Sequence, residues 1–492
     1  MNVNRRSVFL SKSKFLAGLQ CLRYLWVQAN DPARLPPVDT RTQFVFDQGH
    51  EVGELAKRLY PDGIDVSDER FAVNLRRTRG LLARRRPLFE AGFMVGGLYA
   101  RVDILRPAGG DAWDIIEVKS TTEVKDVHLP DLAFQKHCCQ LAGLTVNGCY
   151  LARINKEFVK SGDVVPSEFF VVERVTEEVR LLSPKVEERA REMSRVMRLP
   201  ECPGSPVGQH CRNPYDCPLV GECWSFLPED SVFSLYRIGK KAYPLLARGL
   251  ASIRDLPPGL PLSREQEIQR NCVQSGACHV ELKGIRSFLG CLSYPLHYLD
   301  FETFNTAVPL FDGVRPYQNV PFQFSLRVVR YQGDPAQHSA FLADGPGDPR
   351  PELVARLHEA VRDEGSIVVY NQAFELGVLR ELAYTFPDHR AWLEGICGRI
   401  VDLLVPFRGF LYYHPAQGGS ASLKHVLPTL TGLEYEGLAI ANGQDASLAY
   451  LAATFADMPQ EERHLVRAHL LEYCGLDTEG MERIVEKLAQ LQ

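Results

Sequence analysis

Asp300 and Glu302 stand two residues apart in the apolar run Pro295-Leu-His-Tyr-Leu-Asp-Phe-Glu-Thr303. On a β-strand that spacing sends both carboxylates to one face. There they can hold a pair of divalent cations about 4 Å apart. Two further acids lie downstream. Glu375 sits near the start of a helix that follows the β-rich run Ser366-Ile-Val-Val-Tyr370. Asp477 comes four residues after Tyr473 on a C-terminal helix, so the acid and the phenol share a face. Carboxylates so placed can hold divalent cations.

A second set occupies the N-terminal half. Gly97-Leu-Tyr-Ala-Arg-Val-Asp-Ile-Leu105 and Asp114-Ile-Ile-Glu-Val-Lys-Ser120 alternate like the arms of a hairpin broken by Pro107, Gly109 and Gly110. Glu117 and Lys119 then share a face, and Asp103 on the partner arm can join them. Two carboxylates hold a hard cation, and the ammonium steadies charge on the phosphate. An amphipathic helix over 44–60, with Val45, Val52, Ala56 and Leu59 as its apolar stripe, carries His50 and Glu54 on the far side. His50 is there free to bind a metal.

The third set is sulfur. Cys211, Cys217 and Cys223 are each separated by five residues in a stretch rich in Pro and Gly, and three thiolates on such a loop suit a soft metal or a cluster. Cys21 is the candidate fourth ligand, with Cys202 competing. Structural zinc with His210 is the rival reading, although the closely spaced Cys pairs usual in zinc sites are missing. The remaining cysteines of the thirteen read as lone core thiols.

The elements that must position these residues divide the chain into three. Residues 1–228 hold helices over 10–30 and 44–60, the hairpin, a helix over 132–144 and an irregular cysteine loop over 201–228. Residues 229–292 read as a helical connector without a motif. Residues 293–492 mix strands with helices, the last helix starting near Glu461. Both ends are therefore α/β.

The hairpin set resembles the RecB-like branch of the PD-(D/E)xK nucleases. In that branch a helix histidine precedes Asp, then Glu-x-Lys, then a helix carrying glutamine. The resemblance implies a restriction-endonuclease-like fold. It also implies His50, Asp103 and Glu117 as metal ligands, with Lys119 and Gln135 as catalytic residues. Where relatives often have Tyr four residues after that glutamine, this chain has Cys139. RecB-like nucleases of the AddB and CRISPR-associated types place one cysteine before and three after these motifs around a [4Fe-4S] cluster. This layout implies the same for Cys21, Cys211, Cys217 and Cys223. The second half resembles the DEDD exonucleases on the RNase H-like fold. Asp300–Thr303, Asn371–Glu375 and Tyr473–Asp477 stand at the three motifs, with Glu375 in place of the usual aspartate. The resemblance implies two-metal hydrolysis of a phosphodiester, with Mg²⁺ or Mn²⁺ held by Asp300, Glu302, Glu375 and Asp477 and Tyr473 positioning the attacking water. The whole order is similar to an uncharacterised bacterial family that joins the two modules. Leu10-Ser-Lys-Ser-Lys-Phe15, Cys21-Leu-Arg-Tyr-Leu-Trp26, Leu299–Phe304 and Arg315-Pro-Tyr-Gln318 support that likeness.

Composition fits this reading. The chain is 45% apolar and 24% charged with a net charge of −5, which speaks against indiscriminate coating of nucleic acid but allows a local basic groove. Arg76, Arg77, Arg79, Arg84, Arg85 and Arg86 fit either phosphate contacts or a solvated helix face. No apolar run approaches the roughly 20 residues of a membrane span, and no export signal is visible, so a cytoplasmic location is expected. The expected activity is 3′–5′ exonucleolytic and metal-dependent, on DNA or RNA that is single-stranded or has free ends. A nucleic-acid scaffold with silent sites and a phosphatase of small esters are the alternatives.

Overall fold

The computed structural model describes residues 9–68 and 70–491. It divides into two compact units of mixed α/β structure. The first takes the chain up to Phe226 together with Thr306–Tyr317, and the second takes Leu227–Asn305 and the chain from Gln318 onward.

In the first unit β1 (Leu10–Ser11), β2 (Ile64–Asp65), β3 (Leu88–Val95), β4 (Leu98–Pro107), β5 (Trp113–Lys119), β6 (Val146–Ile154) and β7 (Phe170–Arg174) form one sheet. Its order is β2-β3-β4-β5-β6-β7, with β1 pairing parallel to β4. The expected hairpin is β4 and β5, antiparallel, with Ile104 opposite Ile116 and Leu105 opposite Ile115. β6 pairs parallel on the other side of β5. With strands on both sides, Trp113 through Glu117 are buried in succession. That is the pattern of a strand covered on both faces. The helix His128–Leu141 lays Leu132, Ala133, Phe134, Cys138 and Cys139 into the same core.

Three helices differ from their expected form, and the one expected over 132–144 is the helix His128–Leu141. Residues 10–30 are β1 followed by helices Lys12–Gln20 and Leu22–Asn30, parted at Cys21, whose backbone is extended. Ser11 caps the first of them, accepting a hydrogen bond from Lys14 N at 3.3 Å. The next helix runs Thr40–Lys57 rather than 44–60, because Asp39 caps it through Thr42 N at 2.7 Å. Its buried stripe is Val52, Leu55 and Ala56, whereas Val45 is 57% exposed.

Half of the arginine cluster ties loops together. Arg77 donates to the Asp65 and Ser67 carbonyls. Arg85 donates to the carbonyls of Ala108, Gly110 and Ala112 and lies over the Trp113 ring at 4.5 Å. Arg86 donates to the Asp62 carbonyl at 2.7 Å.

In the second unit β8 (His279–Val280) stands before the main sheet of β9 (Leu296–Phe304), β10 (Val320–Val329), β11 (Gln337–Leu342), β12 (Ser366–Val369) and β13 (Ile400–Asp402). The order of that sheet is β11-β10-β9-β12-β13. β10 runs antiparallel to both β9 and β11; β12 runs parallel to β9, and β13 parallel to β12. Residues 229–292 are part of this unit, and β8 pairs with β14 (Tyr412–Tyr413).

The helix Gln460–Gln490 is fastened to β10 by alternate residues of one strand face. Gln323 donates to the Leu470 carbonyl at 2.8 Å, Ser325 bonds Thr478 at 2.7 Å, and Arg327 donates to Glu482 at 2.7 Å. The strand's period of two thus meets successive turns of the helix. Met481, Ile484 and Leu488 of the helix join the core with Tyr298, Val368 and Phe407.

Candidate functional site

Two clusters of carboxylates and one group of thiols are the candidate sites. In the first unit β5 brings up Glu117 and Lys119, β4 brings Asp103, and the helix behind the sheet brings Asp131 and Gln135. Glu117 is the hub. Its Oε1 accepts from Lys119 Nζ at 2.7 Å and from Lys12 Nζ at 2.8 Å, and its Oε2 accepts from Gln135 Nε2 at 2.6 Å. Asp131 accepts from Lys119 Nζ at 2.8 Å and from Gln135 at 2.9 Å. Asp103 is fixed by Val118 N at 2.8 Å and lies 3.8 Å from Lys12 Nζ.

The electrostatics follow from this crowding. Burial alone would raise Glu117, but Lys119 and Lys12 hold its pKa well below the usual carboxylate range. Asp103 has its nearest ammonium, Lys12 Nζ, 3.8 Å away. Burial, then the charge of Glu117, pushes it up to about 7. Burial opposes the charge on Lys119, yet Glu117 and Asp131 raise its pKa overall.

Asp103, Glu117, Lys119 and Gln135, expected from the sequence, therefore come together. His50 lines the same cleft of about 820 Å³ as Asp103 and Lys12. It does not meet Asp103 and Glu117 at one point: among the described residues, only Asp300, Glu302 and Cys474 bring three metal-ligating atoms within 4.8 Å of one another. Lys12 and Asp131 were not expected. Asp131 lies one helical turn before Gln135, a spacing that could have revealed it. Lys12 had no such signal, since it follows a cap residue in a polar run. Residues 306–317 pack beside this site, where Gln48 Oε1 accepts from Ala307 N at 2.6 Å and the Tyr317 hydroxyl donates to the Ser120 carbonyl.

In the second unit β9 carries Asp300 and Glu302, opposite Ser325 and Gln323 of β10. Glu375 lies in the first turn of the helix Gln372–Thr385, 2% exposed, and its Oε2 has no hydrogen-bond partner among the described residues. The turn ahead of that helix is set by Asn371, at φ 81°, whose N–H donates to Asp402 Oδ1 at 2.9 Å. Asp477 and Tyr473 come from the C-terminal helix. The Tyr435 hydroxyl, from a segment without regular structure, donates to Asp477 Oδ1. Lys424 Nζ lies 5.4 Å from the Tyr473 ring centroid and 5.7 Å from that of Tyr435.

The four acids repel one another in a site that is mostly buried, with Asp300 partly exposed. Burial, then the charges of Asp477, Glu302 and Glu375, raises the Asp300 pKa well above its ordinary value. Burial and Asp477 push Glu302 up to about 8, and burial pushes Glu375 to about 8. Burial lifts Asp477 to about 6 against the opposing pull of Tyr435, Lys424 and Tyr473. Such an arrangement gains from an added cation. The donor set, with a buried orphan oxygen on Glu375, fits Mg²⁺ or Mn²⁺.

Cys21, Cys211, Cys217 and Cys223 line one small cavity together with Ser205 and His210. Cys21 is also the N-cap of the helix Leu22–Asn30 and makes no side-chain cap bond. His210 Nε2 lies 3.6 Å from Cys211 Sγ. Burial, then the neighbouring thiols Cys21, Cys211 and Cys223, pushes Cys217 up to about 11. All four cysteines are free of disulfides.

Compared with known proteins, residues 297–422 match a family described as a domain of unknown function, DUF2779. The match covers Asp300, Glu302 and Glu375 and ends before Tyr473 and Asp477. No curated protein matches the chain.

Proposed function

We propose that the chain is a metal-dependent nuclease whose second unit removes nucleotides from the 3′ end of a DNA or RNA strand. The observation that carries this is the convergence of four acids from three separated segments: Asp300 and Glu302, Glu375, and Asp477. Each of the other three adds its charge to the field at Asp300. The sheet order, with three antiparallel strands followed by two parallel ones, supports an RNase H-like fold for this unit.

When bound, divalent cations supply Lewis acidity and an activated water at the scissile phosphate. The protein's part is to hold them. Asp300 and Glu302 do so from the central strand, and Glu375 and Asp477 from flanking helices. Burial and Asp477 raise the Tyr473 pKa, so its phenol stays protonated and can orient the attacking water. Lys424 offsets part of the negative charge at Glu302 and Asp477.

In the first unit the Asp103, Glu117, Lys119 and Gln135 constellation supports a PD-(D/E)xK nuclease site with His50 at the cleft. Among the described residues the four cysteine sulfurs are not drawn within 4.8 Å of one another. The four cysteines line one cavity and include no closely spaced pair in sequence of the kind usual at zinc sites, which supports a [4Fe-4S] cluster ahead of zinc. Iron and sulfide analysis of anaerobically purified protein checks that assignment; stoichiometric zinc without iron would overturn it. No helix among the described residues is long and apolar enough to cross a membrane.

The test of function is direct. Single-stranded DNA and RNA labelled at either end are incubated with the full chain and Mn²⁺. Stepwise loss from the 3′ end that disappears in Asp300→Asn is the expected result. Release of phosphate from small esters without strand shortening would favour the phosphatase reading, and binding without cleavage the scaffold.

A further inference from the structure

Cys474 Sγ lies 3.4 Å from Asp300 Oδ2, and ligand atoms of Cys474, Asp300 and Glu302 all fall within 4.8 Å of one another. Donors around a single ion, each about 2.1 to 2.4 Å from it, span no more than that. Cys474 is fully buried and lies three residues before Asp477 on the helix Gln460–Gln490, so both turn toward β9. A buried cysteine ordinarily serves as a small apolar filler. This one instead meets a carboxylate and the backbone carbonyl of Asp300, the latter at 3.9 Å. A second observation marks the place as a ligand site: the buried Glu375 Oε2 has no hydrogen-bond partner among the described residues, and its carboxylate acts electrostatically on both Asp300 and Glu302.

We propose that Cys474 is a ligand of this centre, which is thereby a mixed thiolate and carboxylate site selecting a borderline-soft divalent cation of the Zn²⁺ or Co²⁺ kind over Mg²⁺. The inference rests on the reading of the acidic quartet as a metal site and sharpens it. Carboxylates and carbonyls alone suit Mg²⁺, whereas one sulfur donor shifts preference toward softer ions. Binding exchanges the S–H bond for an S–metal bond, and the proton leaves to solvent. The Ser325 and Thr478 hydrogen bond, at 2.7 Å, pins the helix one turn beyond Cys474 and holds the sulfur against β9.

The experiment uses the full chain, with the carboxylate site stripped by chelation and then titrated with Co²⁺. Expected is a near-ultraviolet thiolate-to-cobalt charge-transfer band that is lost in Cys474→Ser and in Asp300→Asn but kept in Cys211→Ser. Zn²⁺ affinity should fall about tenfold or more in Cys474→Ser, while Mg²⁺ affinity changes by less than about twofold. Where the serine variant does not fold, Cys474→Ala leaves no buried hydroxyl and repeats the measurement. Unchanged Co²⁺ spectra and Zn²⁺ affinity in the cysteine variants, with binding still lost in Asp300→Asn, would overturn the thiolate and leave the carboxylate site standing. Binding indifferent to both Cys474→Ser and Asp300→Asn would overturn both.

Discussion

Lys12 Nζ lies 2.8 Å from Glu117 Oε1 across 105 residues of sequence, and 3.8 and 3.9 Å from carboxylate oxygens of Asp103 and Asp131. A lysine at the first position of a helix opposes the helix dipole. Three carboxylates more than offset that cost, and they raise the Lys12 pKa well above its ordinary value although burial works against it. The ammonium thus occupies the point at which a divalent cation would balance the same acids.

Lys12→Ala should therefore destabilise the metal-free protein by about 2 to 4 kcal/mol, because it leaves buried carboxylates short of a counter-charge. Saturating Mn²⁺ should recover most of the loss. Thermal unfolding with and without Mn²⁺ reads the difference. An equal loss in both conditions would show that Lys12 is structural only and does not share its place with a cation.

Much of this architecture was legible in the sequence, and the failures have physical causes. Asp300 and Glu302, or Glu117 and Lys119, announce themselves because a strand's period of two is local. Tyr435 and Lys424 reach Asp477 and the phenol rings from stretches with no such pattern, and only tertiary folding brings them there. Residues 229–292 read as a connector because they carry no motif. In the fold they join the second unit through backbone-directed bonds, such as Glu281 N to the Leu411 carbonyl at 2.7 Å and Arg264 to the Gly409 carbonyl at 3.1 Å. Contacts of this kind leave no periodic trace. Cys139, the departure from the RecB-like pattern, is completely buried in the apolar core, yet Gln135 still bonds Glu117 and Asp131.

Arg327 is a positioning residue. It couples β10 to the helix that carries Tyr473 and Asp477, through Glu482, whose side chain is 8% exposed. Arg327→Ala should cost about 3 kcal/mol by stranding that carboxylate and should lower kcat more than it changes KM. Arg327→Met combined with Glu482→Leu should recover stability, since an apolar pair of similar volume needs no counter-charge. If the double variant regains stability but not kcat, the ion pair itself sets the helix register. If neither variant alters kcat, the coupling is irrelevant to the site.

The acidic quartet also sets a pH dependence. Glu302 and Glu375 at about 8 and Asp477 at about 6 lie above the ordinary carboxylate values near 4.5 and 3.8. The folded state therefore keeps protons that the unfolded chain has released. Stability from these groups is complete below about pH 4 and is lost as pH rises through the folded values. Metal-free protein should show a urea midpoint that falls between pH 5 and 8 more steeply than that of Asp477→Asn. Mn²⁺ should flatten the slope. Identical slopes for the two proteins would mean that the quartet does not hold protons in the fold.

Asp300→Asn tests the second site most sharply. Asp300 stands on the central strand, with Glu302 beside it and Asp477 and Glu375 close enough to raise its pKa. Its loss should abolish Mn²⁺-dependent shortening from the 3′ end, a fall of at least about a thousandfold, because charge stabilisation at the phosphate disappears with the metals. Folding should survive. One charge fewer relieves repulsion in the metal-free site, so the variant should equal or exceed the parent in stability at pH 8 and lose that advantage near pH 5. Glu375 provides the companion test. Glu375→Ala should be as inactive as Asp300→Asn, and Glu375→Asp should keep measurable activity, since the shorter acid is still a hard oxygen donor. These assays are made with Lys119→Ala also present, so that cleavage by the first unit cannot be mistaken for the second. Full 3′-end degradation by Asp300→Asn in that background would refute the assignment, whereas an inactive but more stable Asp300→Asn would show that these acids are placed for a cation rather than for the fold.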